Sequence, residues 1–277
     1  MTLTLYTVPG CVRCRVARSF LEKQKTPYKE LDIQGEGKPA FQQLYRQHRT
    51  DIHRSPEGIE FPILSAGDAV IQGVGPICAW LQAGDRLRDA VGRSELSHGW
   101  VDGLHLSKVD PEQEEAFLAV LRHLKAQGLF LQPDTDGRNP RLLSAVIENR
   151  LADRLVFHLL GPANVYESLI GSPLDEETLS QSLQLAVQAP AYEFVLRLLP
   201  FPGEDGGLDY LPPESAAQTA ALVELATGSK KQPFVIEAVP PEPEQDLAPL
   251  DQPALFKYRR ACRRYQVLAD IRKYPLK

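Results

Sequence analysis

Leu3-Thr4-Leu5-Tyr6-Thr7-Val8-Pro9-Gly10-Cys11-Val12-Arg13-Cys14 is the stretch on which the reading of this chain turns. Residues 2–8 alternate Leu3, Leu5 and Thr7 against Thr4, Tyr6 and Val8, the period-two pattern of a strand, and Pro9-Gly10 ends it in a turn. From Val12 the apolar positions Val12, Val16, Phe20 and Leu21 fall at helical spacing, so Cys11 is expected at a helix amino terminus. Unpaired N–H groups and the helix dipole favour an anion there, which lowers a thiol pKa. Cys11 is therefore the candidate nucleophile. Cys14, about one turn on, is placed to attack the mixed disulfide that Cys11 would form. Arg13 and Arg15 add positive charge beside the pair. Read alone, the pair leaves two other uses open, half of a metal site and two unrelated thiols. Zinc needs a second ligand pair, and the chain offers only isolated Cys78 and Cys262 and scattered histidines. No metal site is expected, and an iron–sulfur cluster is the less favoured use.

The surrounding chain sets the frame for that pair. Its 277 residues exceed an ordinary single domain, so two domains are expected, and 43% apolar residues suffice for buried cores. A net charge of −5 provides no global basic field for nucleic acid or anionic membrane. The amino terminus has no basic segment followed by a long apolar run, and no stretch approaches a membrane span. Four cysteines, two of them in one C-x-x-C, do not make a disulfide scaffold. A cytoplasmic protein without membrane partners is expected.

Downstream, Pro27-Tyr28-Lys29-Glu30-Leu31-Asp32-Ile33 reads as a strand and Pro39 to His48 as a helix. Glu60-Phe61-Pro62-Ile63-Leu64 and Ala69-Val70-Ile71-Gln72-Gly73 read as a hairpin, followed by a helix over 76–83. The order βαβαββα is that of the thioredoxin fold, and residues 1–84 resemble glutaredoxins and the glutaredoxin-like reductants of ribonucleotide reductase. The resemblance is carried by L-Y-T-V-P-G-C-V-R-C, P-Y-K-E-L-D-I, F-P-I-L and I-Q-G-V-G. It implies that Pro62 is a cis-proline facing the dithiol, beside a backbone that pairs with an extended thiol substrate; a strand-edge proline is the alternative. Tyr6, Pro9, Arg13, Phe61, Pro62, Gly73 and Gly75 are the implied substrate-binding residues. The lysine and aspartate with which glutaredoxins hold glutathione are replaced by Val8 and the Pro76 region. The expected electron donor is thus a thioredoxin reductase-like flavoprotein rather than glutathione. No cofactor is required.

Residues 85–98 are charged and lack an apolar repeat, which predicts a linker. Beyond it, strands at 101–106, 129–132, 155–159, 192–199 and 234–239 alternate with helices at 112–127, 139–151, 163–170, 175–188 and 212–227. Such β/α units predict a parallel sheet, open or partly closed. Residues 99–240 resemble the radical S-adenosylmethionine activating proteins of anaerobic ribonucleotide reductase and pyruvate formate-lyase, through G-W-V-D-G-L-H-L-S-K-V-D-P, L-K-A-Q-G-L-F-L-Q-P-D-T-D-G-R-N-P, A-D-R-L-V-F-H-L-L-G-P and Y-E-S-L-I-G. The resemblance implies a partial (β/α)6 barrel. The cluster-binding C-x-x-x-C-x-x-C of those enzymes is missing, so a degenerate member is expected. His105, Asp134 and His158 are candidate pocket residues near strand ends. Capping of the following helix by Asp134 and Asp136 is the favoured alternative.

Residues 241–253 are Pro- and acid-rich and read as an extended linker. From Ala254 to Lys277 the sequence turns basic, with apolar Leu255, Tyr258, Cys262, Tyr265, Val267, Leu268 and Ile271, which predicts an amphipathic basic helix. Docking on the acidic body is its favoured role, ahead of a nucleic-acid arm. The α/β chain as a whole reads as a thiol–disulfide oxidoreductase acting on a protein disulfide, with a target-recognising β/α domain that serves a ribonucleotide reductase or another radical enzyme. The alternative is a non-catalytic scaffold whose dithiol is regulatory or holds a cluster.

Overall fold

The computed structural model describes residues 3–56, 58–96, 99–202 and 207–273. The far ends of two expected segments, His98 of the linker and Lys277 of the basic helix, lie outside them. The chain is mixed α/β and forms two compact units, Met1–Pro133 and Asp134–Lys277.

In the first unit β1 (Leu3–Thr7), α1 (Val12–Lys23), β2 (Tyr28–Asp32) and α2 (Lys38–Gln47) precede a two-residue hairpin, β3 (Arg54–Ser55) and β4 (Gly58–Ile59). Then come β5 (Ile63–Ala66), β6 (Ala69–Gln72) and α3 (Val74–Ala83). The sheet order is β2-β1-β5-β6, with β1 parallel to β2 and antiparallel to β5. Tyr6 is registered with Leu31 on one side and Ile63 on the other. All three join Phe41, Leu44 and Ile52 in one apolar cluster. This is the outcome that strand alternation dictates, since side chains on registered neighbours share a face.

The stretch expected as a linker is packed. A 3-10 turn at Gly84–Leu87 is followed by a bridge between Val91 and Leu104, and Leu87, Ala90 and Val91 are buried. Its buried apolar residues are only three, too few to show a sustained period, yet they suffice to hold an irregular segment down. The unit continues through β7 (Trp100–His105), α4 (Glu114–Ala126) and the start of β8 (Phe130–Thr135).

The second unit carries α5 (Pro140–Glu148), β9 (Leu155–Leu159), α6 (Tyr166–Ile170), α7 (Glu176–Ala186) and β10 (Tyr192–Leu198). A short hairpin, β11 (Pro200–Pro202) and β12 (Leu208–Tyr210), leads to α8 (Pro213–Thr227), β13 (Phe234–Ala238), α9 (Gln252–Cys262) and β14 (Asp270–Ile271). The strands run in the order β14-β13-β10-β9-β8-β7, and β8, β9, β10, β13 and β14 pair in parallel. Phe157, Phe194 and Phe234 are registered neighbours and fully or almost fully buried, so one aromatic row runs across three strands. Gly137, at φ +94°, precedes α5; a Cβ there would stand 2.9 Å from the Phe157 ring, which is why the turn into α5 needs glycine.

The basic carboxyl-terminal segment is not one helix. α9 ends at Cys262, and Asp270–Ile271 then joins the sheet beside β13. The break is made by Gln266, whose buried amide accepts from Gln232 N–H (3.1 Å) and donates to Ser229 O (3.0 Å). Val267 and Leu268, counted toward an apolar face, are exposed. Arg272 fastens the new strand, bonding Glu237 at 2.5 Å and both Glu193 oxygens at 2.9 and 3.0 Å. Between Ala238 and Gln252 there is neither helix nor strand. No helix among the described residues is long and apolar enough to cross a membrane.

Candidate functional site

Cys11 is the N-cap residue of α1, and Cys11 and Cys14 are joined by a disulfide. The cap exists because Val8-Pro9-Gly10 turns the chain sharply out of β1, with Gly10 at φ +72° and Cys11 N–H donating to Val8 O (3.4 Å). Cys11 Sγ accepts a hydrogen bond from Cys14 N–H at 3.0 Å, the place a serine or aspartate oxygen takes at an ordinary cap. Cys11 is partly exposed, whereas Cys14 is buried at 1% exposure. The two sulfurs are thereby distinguished by their exposure.

The Phe61–Pro62 peptide is cis, and Phe61 O lies 3.8 Å from Cys11 Sγ. Pro62 O accepts from Gly73 N–H at 2.9 Å, which links this turn to the residue before α3. Phe61 packs with its ring tilted against Phe41, centroids 5.3 Å apart, and Phe41 lies 5.6 Å from Tyr6. Tyr6, expected as a substrate contact, is thus core beneath the turn, and burial pushes its hydroxyl pKa up. Gly75 is also buried, inside α3, where a Cβ would come within 3.2 Å of Val91. Pro9 and Gly73 remain at the site, Pro9 exposed and Gly73 bonded to Pro62.

Arg13 departs furthest from expectation. It is 9% exposed, and its guanidinium pairs with Glu60 and donates to Leu96 O (2.8 Å) and Trp100 O (2.7 Å), with Ser94 Oγ at 3.4 Å. The second Glu60 oxygen meets Arg93 at 3.4 Å. Asp102 Oδ1 accepts from Ser94 Oγ (2.6 Å) and from the Glu95 and Leu96 N–H groups, which fixes the loop that receives Arg13. Arg13 therefore ties α1 to Ser94, Leu96 and Trp100 and to Glu60, just before the Phe61–Pro62 turn.

A cavity of about 380 Å³ beside Cys11 is lined by the expected Pro9 and Arg15 and by positions missed in the sequence, Thr7, Val8, Gly10, Arg18, Glu30 and Asp32. Glu30 accepts from Thr7 Oγ1 at 3.0 Å and from Arg18 at 2.7 Å. The signal was present: Cys11, Arg15 and Arg18 stand at i, i+4 and i+7, one helix face.

Of the pocket candidates, His105 closes β7, Asp134 is on β8 and His158 lies near the end of β9. The cap of α5 is Asn139, accepting from Leu142 N–H at 3.0 Å, and Asp136 instead makes a two-point pair with Arg138. Among the described residues no cluster of three or more His, Cys, Asp or Glu side chains could hold a metal ion.

No family model and no curated protein matches the chain. Among solved structures it is similar to the glutaredoxin-like protein NrdH-redoxin from Escherichia coli, at 22% identity and TM-score 0.22, over 27% of this chain and 87% of that one. It is also similar to a domain of pyruvate-formate lyase-activating enzyme from Bacteroides vulgatus, at 13% identity and TM-score 0.41, over 58% of this chain and 92% of that one.

Proposed function

We propose that the chain is a thiol–disulfide oxidoreductase whose residues 1–84 work as a glutaredoxin-like module of thioredoxin fold. In the reduced protein the Cys11 thiolate attacks a protein disulfide, and Cys14 then attacks Cys11 Sγ, releasing the reduced target and leaving the Cys11–Cys14 disulfide. The observation that carries this reading is the Cys11 cap: its sulfur already accepts the Cys14 N–H, so negative charge on it is stabilised by a donor held in place. Phe61 and Pro62 flank the attacked sulfur. A thioredoxin reductase-like flavoprotein, in preference to glutathione, regenerates the dithiol. The β/α region, as a degenerate partial barrel of the radical S-adenosylmethionine type, selects the target, with a ribonucleotide reductase or another radical enzyme as the candidate. The setting is cytoplasmic.

The test is disulfide reduction by the full chain with dithiothreitol as reductant. Cys11→Ser should abolish turnover, and Cys14→Ser should stop it at a trapped mixed disulfide on Cys11. Full turnover in Cys11→Ser would leave the scaffold reading in its place.

A further inference from the structure

β6 is an edge strand of the four-stranded sheet. Gly73 N–H donates to Pro62 O, and an antiparallel ladder alternates bonded with unbonded pairs, so Ile71 and Ala69 bond β5 while the main-chain groups of Val70 and Gln72 point outward. Among the described residues no backbone group meets those outward N–H and C=O groups. The strand carries no proline, lysine or bulge of the kind that blocks edge pairing. A groove of about 510 Å³ is lined by every residue of β6 and, from α3, by Ala79 and Trp80. Three carboxylates, Asp51, Asp68 and Asp85, line it against one guanidinium, Arg88. Asp51 holds His48 at 3.0 Å, whereas Asp68, in the β5–β6 turn, and Asp85 meet no opposite charge among the described residues.

We propose that this edge docks an extended, lysine- or arginine-bearing segment of a partner protein, which adds to the sheet beside β6. The segment's backbone pairs with Val70 and Gln72, which supplies affinity without regard to sequence. A basic side chain of the segment enters the groove, where the Trp80 ring face and the Asp68 and Asp85 carboxylates receive it. Charge decides the occupant. A second copy of this chain, paired edge to edge, would bring two acidic grooves to one seam, and an acidic segment would meet the same repulsion. The volume suits the side chains of one strand and is far too small for a folded domain. Docking here uses neither cysteine, so it stands or falls separately from the disulfide exchange.

The experiment titrates the full chain into two end-blocked fluorescent peptides, Thr-Val-Lys-Val-Lys-Val-Thr and its Glu-for-Lys counterpart, and follows anisotropy. The lysine peptide should bind about tenfold or more tightly than the glutamate peptide, and added salt should erode that preference. Changing Asp68→Lys and Asp85→Lys together, both at exposed positions, should abolish it. Val70→Pro removes one outward N–H and leaves the β5 bonds in place, so it should weaken the lysine peptide about tenfold. Val70 also packs on the apolar cluster around Phe41, so a second measurement uses the unaltered chain. At saturating lysine peptide the Val70 and Gln72 amides should exchange hydrogen about tenfold more slowly, with Ile71 unchanged. Equal affinity for the two peptides, binding of neither, or binding that leaves the Val70 and Gln72 amides exchanging as before would overturn the proposal. A concentration-dependent dimer of the chain that Val70→Pro abolishes would overturn it too, by giving the edge to a second copy. Turnover with dithiothreitol on the same samples reads the Cys11 chemistry independently of every one of these outcomes.

Discussion

Replacing Arg13 by alanine should cost the first unit about 3 kcal/mol, although Arg13 sits in the first turn of α1 between the two cysteines. Truncating one member of a fully buried, hydrogen-bonded ion pair costs roughly 3–5 kcal/mol. Here the pair is not fully buried: the side chains of Arg13 and Glu60 are 10% and 20% exposed, and Glu60 keeps Arg93 at 3.4 Å. Those terms move the estimate to the low end. The Leu96 and Trp100 carbonyls move it back, because each loses a charged donor at 2.8 or 2.7 Å. Hydrogen bonds to charged groups contribute about 1.5–3 kcal/mol each before water replaces them. Both tryptophans of the chain, Trp80 and Trp100, belong to the first unit, so tryptophan fluorescence during urea unfolding reports from that unit. Arg15→Ala is the control and should stay within about 0.5 kcal/mol of the parent, as exposed substitutions do. Adding Glu60→Ala to Arg13→Ala should show a coupling of about 1 kcal/mol or more. Equal stabilities for Arg13→Ala and Arg15→Ala would refute the assignment of Arg13 as the tie between α1 and the 93–102 loop.

Two further outcomes follow from buried titratable groups. His123 on α4 is buried, bonds Val16 O through Nε2 at 3.2 Å and meets the Phe20 ring edge-on; burial is the main cause holding its pKa below 6.5, with Lys23 adding to the effect and the Val16 contact opposing it. The unfolded state therefore binds the proton first, so the first unit should lose stability as pH falls through about 6.5, and His123→Gln should flatten that loss in urea titrations at successive pH values; an unchanged slope would show that another group is responsible. Cys78 and Cys262 are both fully buried, with burial pushing Cys262 up to about 12 and Cys78 further, so alkylation of the reduced native protein should modify Cys11 first and spare both of these until denaturant is added, as read by peptide mass.

The elements legible in the sequence were those whose signal is local. β1, its Pro9-Gly10 stop and α1 follow from alternation, a turn pair and a helical period, and the β/α units from 100 to 238 follow from the same two periods repeated. The parts that were hidden depend on partners distant in the chain. Pro200-Phe201-Pro202 argues against a strand, since proline cannot donate to a ladder, yet it pairs with Leu208–Tyr210 as a short hairpin. Tyr258, Cys262 and Tyr265 keep a helical spacing that ran on past the true end of α9, because nothing in the local pattern marks Gln266 as the residue whose amide closes on Gln232 and Ser229.

The candidate site turns on a smaller ambiguity of the same kind. Arg13 and Arg15 look alike in the sequence, but two residues on a helix stand about 200° apart, so at most one can face inward with the apolar stripe. Beginning that stripe at Val12 misplaces only its first residue: Val12 is 40% exposed, whereas Val16, Phe20 and Leu21 are buried, together with Arg13, Cys14 and Ala17. Once Arg13 is placed inside, its charge is taken by Glu60 and two carbonyls, and Arg18 is likewise taken by Glu30. Of the three arginines on α1, only Arg15 is left to act on an incoming anion near Cys11. The thiolate is then supported by one fixed N–H, the helix end and one exposed cation, and the last of these is the contribution that salt should screen. A Cys11 reaction rate that rises with ionic strength toward an anionic disulfide would contradict this arrangement, whereas a fall confined to proteins retaining Arg15 is its direct consequence.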